Sequence, residues 1–350
     1  MACKRVRLYE TDAQRKMRKI GLAPSYAQWS VALIALLVNS RLLTGSVDAA
    51  EHTQPIKIGV LTPSWGSTPP VVGLRDGLLE LGYRENEQFV LGVRFTQGDM
   101  AALPAAAREL IQQEVDIVFA DYDDAAKAAQ MATSRIPIVF AGVRDPLGLG
   151  LIQSLARPGG NLTGVTHLDL ELNPKRLELF HEIIPGLKRV LFPYDTADAY
   201  AVAAARMYRE AARGLGIVLV EQTVQTPEEA QAILTQVRKG EVDGILKPPA
   251  VSLNIPGFIL EAAGQRGIPT MFDAAFWAEQ GGLVSYGPDL YASGRQAARL
   301  VDKILKGTKP AEIPVEVNSK IEFVINLKAA KALGLTIAPE VLYRADRIIR

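Results

Sequence analysis

From Pro55 onward the chain alternates short apolar runs rich in β-branched residues with longer stretches of helical periodicity, the pattern of βα units on a parallel sheet. Strands are predicted over residues 56–61, 89–95, 116–120, 136–141 and 162–167, with helices between them over 74–81, 105–113, 125–132 and 149–155. After Asn173-Pro174 the pattern restarts. Helices are predicted over 177–184, 199–213, 228–237 and 256–265, and strands over 189–192, 217–221, 244–246, 270–272 and 283–285. The tail adds a helix over 294–305, a turn at 307–310, an extended stretch over 321–326 and a short helix over 329–333. The halves repeat in architecture without a matching residue repeat.

The fold class predicted is α/β, with two doubly wound parallel-sheet lobes joined by a multi-strand hinge. Residues 55–165 with about 290–313 form the first lobe, and 170–286 with about 320–350 the second. Crossovers near 166–172, 286–290 and 314–320 would act as the hinge, with the ligand cleft between the lobes.

In open α/β sheets, ligands bind beyond the carboxyl ends of the strands. The candidate site is therefore the set of strand-ending loops. The first holds Ser64, Trp65, Ser67 and Thr68 ahead of Pro69-Pro70; its hydroxyls and the free amides of the next helix suit a carboxylate or phosphate, or simply an N-cap. Trp65, a large aromatic among small residues, is read as a stacking face. The second holds Asp121, Tyr122, Asp123 and Asp124, whose carboxylates would repel one another if all faced one ligand. The third places Asp145 before Pro146, balanced between an N-cap and a ligand contact. In the second half, Pro193-Tyr194-Asp195-Thr196, Lys247-Pro-Pro249 and Asp273-Ala-Ala-Phe-Trp277 close the series, with Tyr286 near the second crossover.

The amino end changes the picture. Lys4, Arg5, Arg7, Arg15, Lys16, Arg18 and Lys19 precede an uncharged run whose apolar centre spans residues 29–38, followed by Val47-Asp-Ala49. A core of about 10 residues suits a secretory leader and falls short of the roughly 20 that span a bilayer, so residues 1–49 are predicted to be cleaved off near Ala49. Met17 is an alternative start. Whole, the 350 residues carry 39 basic and 38 acidic side chains, 48% hydrophobic residues and one cysteine. Cleavage removes eight basic and three acidic residues, leaving 31 against 35, and takes Cys3 with it. The exported part would lack disulfides and a lipoprotein cysteine, and should be free in the periplasm. A near-neutral chain gives no electrostatic argument for nucleic acid.

Catalytic signatures are missing: there is no P-loop, Gly-x-Ser-x-Gly elbow or His-Glu-x-x-His. Gly148-Leu-Gly150 lacks the third glycine of a dinucleotide fingerprint. His52 lies near the processed end, and His181 shares a helical stretch with Lys175, Arg176 and Glu178 that is read as a solvated face. His167 ends a strand beside the first crossover and is read as structural rather than catalytic. No catalytic residue, metal site or cofactor is expected.

Five segments carry a resemblance: DPLGLGLIQSLARPGGNLTG at 145–164, KRLEL at 175–179, GGLVSYG at 281–287, ILKGTKPA at 304–311 and INLKAAKALGLT at 325–336. These resemble the bacterial ABC-transporter substrate-binding proteins of the tryptophan/tyrosine-type family, over nearly all of residues 55–350. The resemblance implies a type I periplasmic-binding fold that closes on a small solute and delivers it to an ABC permease driven by an ATPase. No nucleic-acid partner, membrane contact only through the permease, and a monomer are expected. The chain departs from the family at Pro193-Tyr-Asp-Thr196, where Asn-Pro is common, and at Lys247-Pro-Pro249, where an acidic or small polar loop is usual. An aromatic amino acid is the ligand expected first, with Trp65, Tyr122, Tyr194, Phe272 and Tyr286 as stacking faces and Asp145 or Asp273 for the ammonium. Another amino acid, a purine-like solute or an aromatic acid fits the same inventory. Two other classes are carried: a secreted α/β enzyme using His167 with a cleft carboxylate, and a sensory domain of the same fold.

Overall fold

The computed structural model describes residues 54–167, 169–238, 240–248 and 255–350. The predicted leader, its cleavage site, Cys3 and His52 lie outside them, as does Pro249.

Thirteen strands form two sheets among the described residues. The first runs in the order β11 (Glu316–Asn318), β5 (Leu162–His167), β4 (Ile138–Val143), β3 (Ile117–Asp121), β1 (Ile56–Thr62) and β2 (Phe89–Phe95), all parallel. The second runs β13 (Arg347–Ile349), β12 (Ile321–Asn326), β10 (Val284–Pro288), β9 (Thr270–Phe272), β8 (Gly244–Leu246), β6 (Arg189–Asp195) and β7 (Val218–Val224). Here the expectation of a wholly parallel sheet is corrected, because β10 pairs with β12 antiparallel. The chain reaches β12 by a short turn from the first sheet rather than through a crossover helix, and so enters in the opposite sense.

Helices flank both sheets: α1 (Pro69–Glu80), α2 (Leu103–Gln112), α3 (Asp123–Ala132), α4 (Asn173–Ile183), α5 (Ala199–Leu215), α6 (Pro227–Gln236), α7 (Ile255–Arg266), α8 (Ala275–Glu279), α9 (Leu290–Leu305), α10 (Leu327–Ala332) and α11 (Pro339–Arg344). The buried apolar residues of β1, β3, β4, α1 and α9 form one core, and those of α4, β6, α5 and β10 form the main core of the second sheet. The chain passes between sheets at residues 167–173, 288–290 and 318–321. No helix among the described residues is long and apolar enough to cross a membrane.

One predicted helix is absent. Residues 146–150 form turns and 151–155 are irregular, not helical. Gly148 and Gly150 (φ 69°) deny the segment helical propensity, while Leu151 and Ile152 are buried as a plug. Asp145 therefore caps a turn rather than a helix: its Oδ1 accepts the amide of Gly148 at 2.8 Å. Residues 316–318, expected in a crossover, instead extend the first sheet beside β5.

Candidate functional site

The carboxyl ends of β3, β4 and β5 in the first sheet face those of β8 and β9 in the second across a cavity of about 70 Å³. Tyr122, Asp123 and Arg144 line one wall, Lys247, Asp273 and Trp277 the other, and His167 and Asp169 of the first passage the base. A wider chamber of about 310 Å³, lined by Pro69, Phe276 and Tyr291 among others, shares Ala274, Pro288 and Leu290 with it.

Local sequence explains the placement. A β-bulge at Gly142 (φ 73°), itself on the cavity lining, shifts the β4–β5 register. Tyr122 holds a left-handed backbone (φ 74°), a conformation costly for a bulky residue, and its amide donates to the Ala141 carbonyl at 3.0 Å. It holds the N-cap position of α3, where its carbonyl accepts the Ala126 amide at 3.1 Å and its side chain makes no cap.

The walls are joined by charge. Arg144 donates from Nε to Asp123 Oδ2 (2.6 Å) and from its amide to Asp123 Oδ1 (2.9 Å). Its Nη2 lies 3.5 Å from Asp198 Oδ2 at the start of α5 in the opposite half, and its guanidinium covers the Tyr200 ring at 4.5 Å. Burial opposes the charge on Arg144, but Asp123 and Asp198 outweigh it and hold the pKa above its ordinary value. Across the cavity, buried Lys247 donates to Asp273 Oδ2 at 2.5 Å. Desolvation pulls the Lys247 pKa down, with Asp273 restoring part of it. The other oxygen, Asp273 Oδ1, is buried and has no hydrogen-bond partner, and so is His167 Nδ1. Burial keeps the His167 pKa low, with Asp169 the leading opposing charge, so the ring is neutral at pH 7.

Fully buried Arg176 ties the 167–173 passage to β10 of the second sheet. Its Nη2 pairs with Asp169, its Nη1 donates to Asn173 Oδ1 at 2.7 Å, and its Nε donates to the Tyr286 carbonyl on β10 at 2.6 Å. The solvated-face reading of this stretch is corrected for Arg176, though Lys175 and Glu178 are exposed and paired at 2.9 Å.

Of the residues in the candidate loops, Tyr122, Asp123, Asp124, Lys247, Asp273 and Trp277 line the cavity. Ser64, Trp65, Ser67, Thr68, Asp121, Asp145, Tyr194, Asp195, Thr196 and Tyr286 stand elsewhere. Asp121 is fully buried beneath it, accepting from Thr68 Oγ1 (2.6 Å) and Thr62 Oγ1 (3.1 Å). Ser64 Oγ donates to its own loop at the Gly66 carbonyl (2.6 Å), and Ser67 is exposed. Trp65 is 60% exposed and lies over Gly98. Asp145 is exposed on its turn. Tyr194 stacks on Phe192 (5.3 Å between centroids) and donates to Glu221 Oε2 at 3.3 Å, which keeps it in the core. Asp195 Oδ1 accepts the Ala197 amide at 2.8 Å, and Thr196 is exposed. Tyr286 packs edge-on against Phe323 and is absent from the cavity wall. Trp65, Asp145 and Tyr194 thus do not converge. Arg144, Asp198 and Asp169 were not singled out from sequence. Arg144 and Lys247 follow strand ends directly, and that was the available signal.

Asp121 yields a pH prediction. Burial raises its pKa from 3.8 to about 7, against the pull of Thr68 and Thr62. The folded state then holds this proton more tightly than the unfolded chain, so its contribution favours folding at low pH. That contribution is lost as pH rises from about 4 to about 7, by on the order of 4 kcal/mol. Asp121→Asn is expected to remove that slope from urea-unfolding free energies measured between pH 4 and 8.

Two α/β halves whose strand ends meet at a polar, aromatic-edged cavity, with the chain crossing three times between them, define a two-lobed solute-binding protein. Residues 60–349 match the family model for ABC transporter substrate binding proteins, and the chain belongs to that family. The fold is the type I periplasmic-binding fold, as the resemblance implied, and proteins of this family work outside the cytoplasm with ABC transporter subunits as partners. A tyrosine-binding protein of Clostridioides difficile (strain R20291) is 28% identical over 267 residues, 75% of this chain and 76% of the relative. A conserved domain protein of Vibrio cholerae O1 biovar El Tor superposes with a TM-score of 0.73 at 31% identity, covering 84% of this chain and 100% of that one. An ABC domain in complex with L-Trp from Streptococcus pneumoniae gives 0.72 at 26% identity, covering 85% and 100%.

Proposed function

We propose that this protein is the receptor of an ABC importer for an aromatic amino acid, exported by a leader over residues 1–49 and acting as a free periplasmic monomer. The observation that carries the ligand class is the cavity itself: a buried, unpartnered Asp273 oxygen for the ammonium beside the rings of Tyr122 and Trp277. The tyrosine-binding and tryptophan-bound relatives support it. Of the residues read from sequence, Tyr122 and Asp273 are the proposed contacts.

Delivery follows from mechanics. A cavity of about 70 Å³ is below the roughly 300–1,000 Å³ of small-molecule clefts, so solute enters when the halves part about the three passages. Ligand touching both walls then favours closure by its differential affinity for the closed state. Because Arg144 reaches Asp198 and Tyr200 across the cleft, this contact itself adds to closure.

A thermal-shift panel tests the reading. L-tyrosine or L-tryptophan at 100 times its Kd is expected to stabilise by about 2.7 kcal/mol, a rise of several degrees in Tm. A flat response to every amino acid would refute it. The latch has its own test, since Asp198 also caps α5 by accepting the Tyr200 amide at 2.8 Å. Asp198→Ser keeps a capping oxygen and removes the charge, and is expected to weaken binding by about threefold to tenfold with little change in Tm.

A further inference from the structure

We propose that His167 sets specificity in this cleft by accepting a hydrogen bond from the polar tip of the ligand's aromatic side chain, the phenol of tyrosine or the indole N–H of tryptophan, so that phenylalanine is rejected. This deepens the aromatic amino-acid reading and rests on it.

His167 ends β5, faces the cavity and is 6% exposed, yet its Nδ1 has no partner. A buried ring nitrogen without a partner is costly and is satisfied in most native structures. The groups around His167 say which partner suits it. Asp169, Asp123 and Asp273 stand near it, together with Arg144, and Arg144 is already engaged by Asp123 and Asp198. These carboxylates disfavour a ligand carboxylate at the ring. The ligand ammonium has a stronger place at Asp273, where one carboxylate oxygen is unpartnered. What is left for a neutral imidazole is an uncharged donor, and phenol and indole each carry one. A site built to hydrogen-bond such a group rejects an analogue lacking it, because the protein atom is then left unsatisfied.

The test is calorimetric titration of the purified protein and its His167→Leu and His167→Gln variants with L-tyrosine, L-tryptophan and L-phenylalanine. The wild-type protein should bind tyrosine or tryptophan at least about tenfold more tightly than phenylalanine. His167→Leu should bring that ratio to within about threefold of one while leaving phenylalanine affinity within about threefold of wild type, and His167→Gln, which keeps an acceptor, should restore part of it. Equal wild-type affinity for all three ligands would overturn the assignment without any variant. So would a His167→Leu protein that loses tyrosine and phenylalanine binding alike, which would place His167 on the shared ammonium and carboxylate. Binding of none of the three would refute the aromatic amino-acid reading, and this assignment with it.

Discussion

Replacing Arg176 with methionine is expected to destabilise the protein by about 3–5 kcal/mol, because it leaves the Asp169 carboxylate buried without its counter-charge. The guanidinium's loss also frees the Tyr286 carbonyl and Asn173 Oδ1, so the passage at 167–173 is no longer tied to β10. The pair Arg176–Asp169 holds both pKa values on the charged side: burial opposes each charge, and the partner outweighs it. Removing both charges, as in Arg176→Met with Asp169→Leu, should be less destabilising than Arg176→Met alone. Urea unfolding of the two single variants and the double variant decides this. A double variant weaker than Arg176→Met by the full Asp169→Leu cost would mean the two side chains act independently.

The second large effect concerns α1 and α9, which meet through glycines. A Cβ on Gly294 would stand 2.0 Å from the Pro70 carbonyl oxygen and 2.8 Å from the Leu74 nitrogen, and one on Gly73 would stand 2.1 Å from the Tyr291 carbonyl oxygen. These obstacles are backbone, which cannot turn aside as a side chain does. The helices must separate, and Gly294→Ala is expected to cost about 3 kcal/mol, the upper end of overpacking. The tie between Tyr291 and Asp76 Oδ2 (3.0 Å) would stretch with them. Gly66→Ala is the control, since its Cβ would meet nothing within 4 Å, and it should change stability by under about 0.5 kcal/mol. If Gly294→Ala unfolds at the same urea concentration as Gly66→Ala, the close crossing is wrong.

Alternation of apolar runs made the two sheets legible because parallel strands buried on both faces leave a continuous signal. Where sequence reading missed, side-chain direction was the reason. Tyr194 shares its strand face with Phe192, and that parity, rather than its place near a strand end, sends it into the core. Arg176 lies one helical turn from Phe180, on the buried face of α4; its charge argued for solvent, but periodicity placed it inside. Thr62 ends β1, Thr68 immediately precedes α1 and Asp121 ends β3, far off in sequence, and only the fold shows that the hydroxyls are spent on the carboxylate rather than on a ligand. Asp145 sits among glycines whose turn geometry no periodicity reports.

The most direct test is to titrate the protein with L-tyrosine and L-tryptophan by calorimetry, and to repeat it with Asp273→Asn. One ligand bound per chain for the wild-type protein, and affinity at least about tenfold weaker in the folded variant, is the predicted result. Unchanged affinity in that variant would contradict a solute held between the two sheets at Asp273.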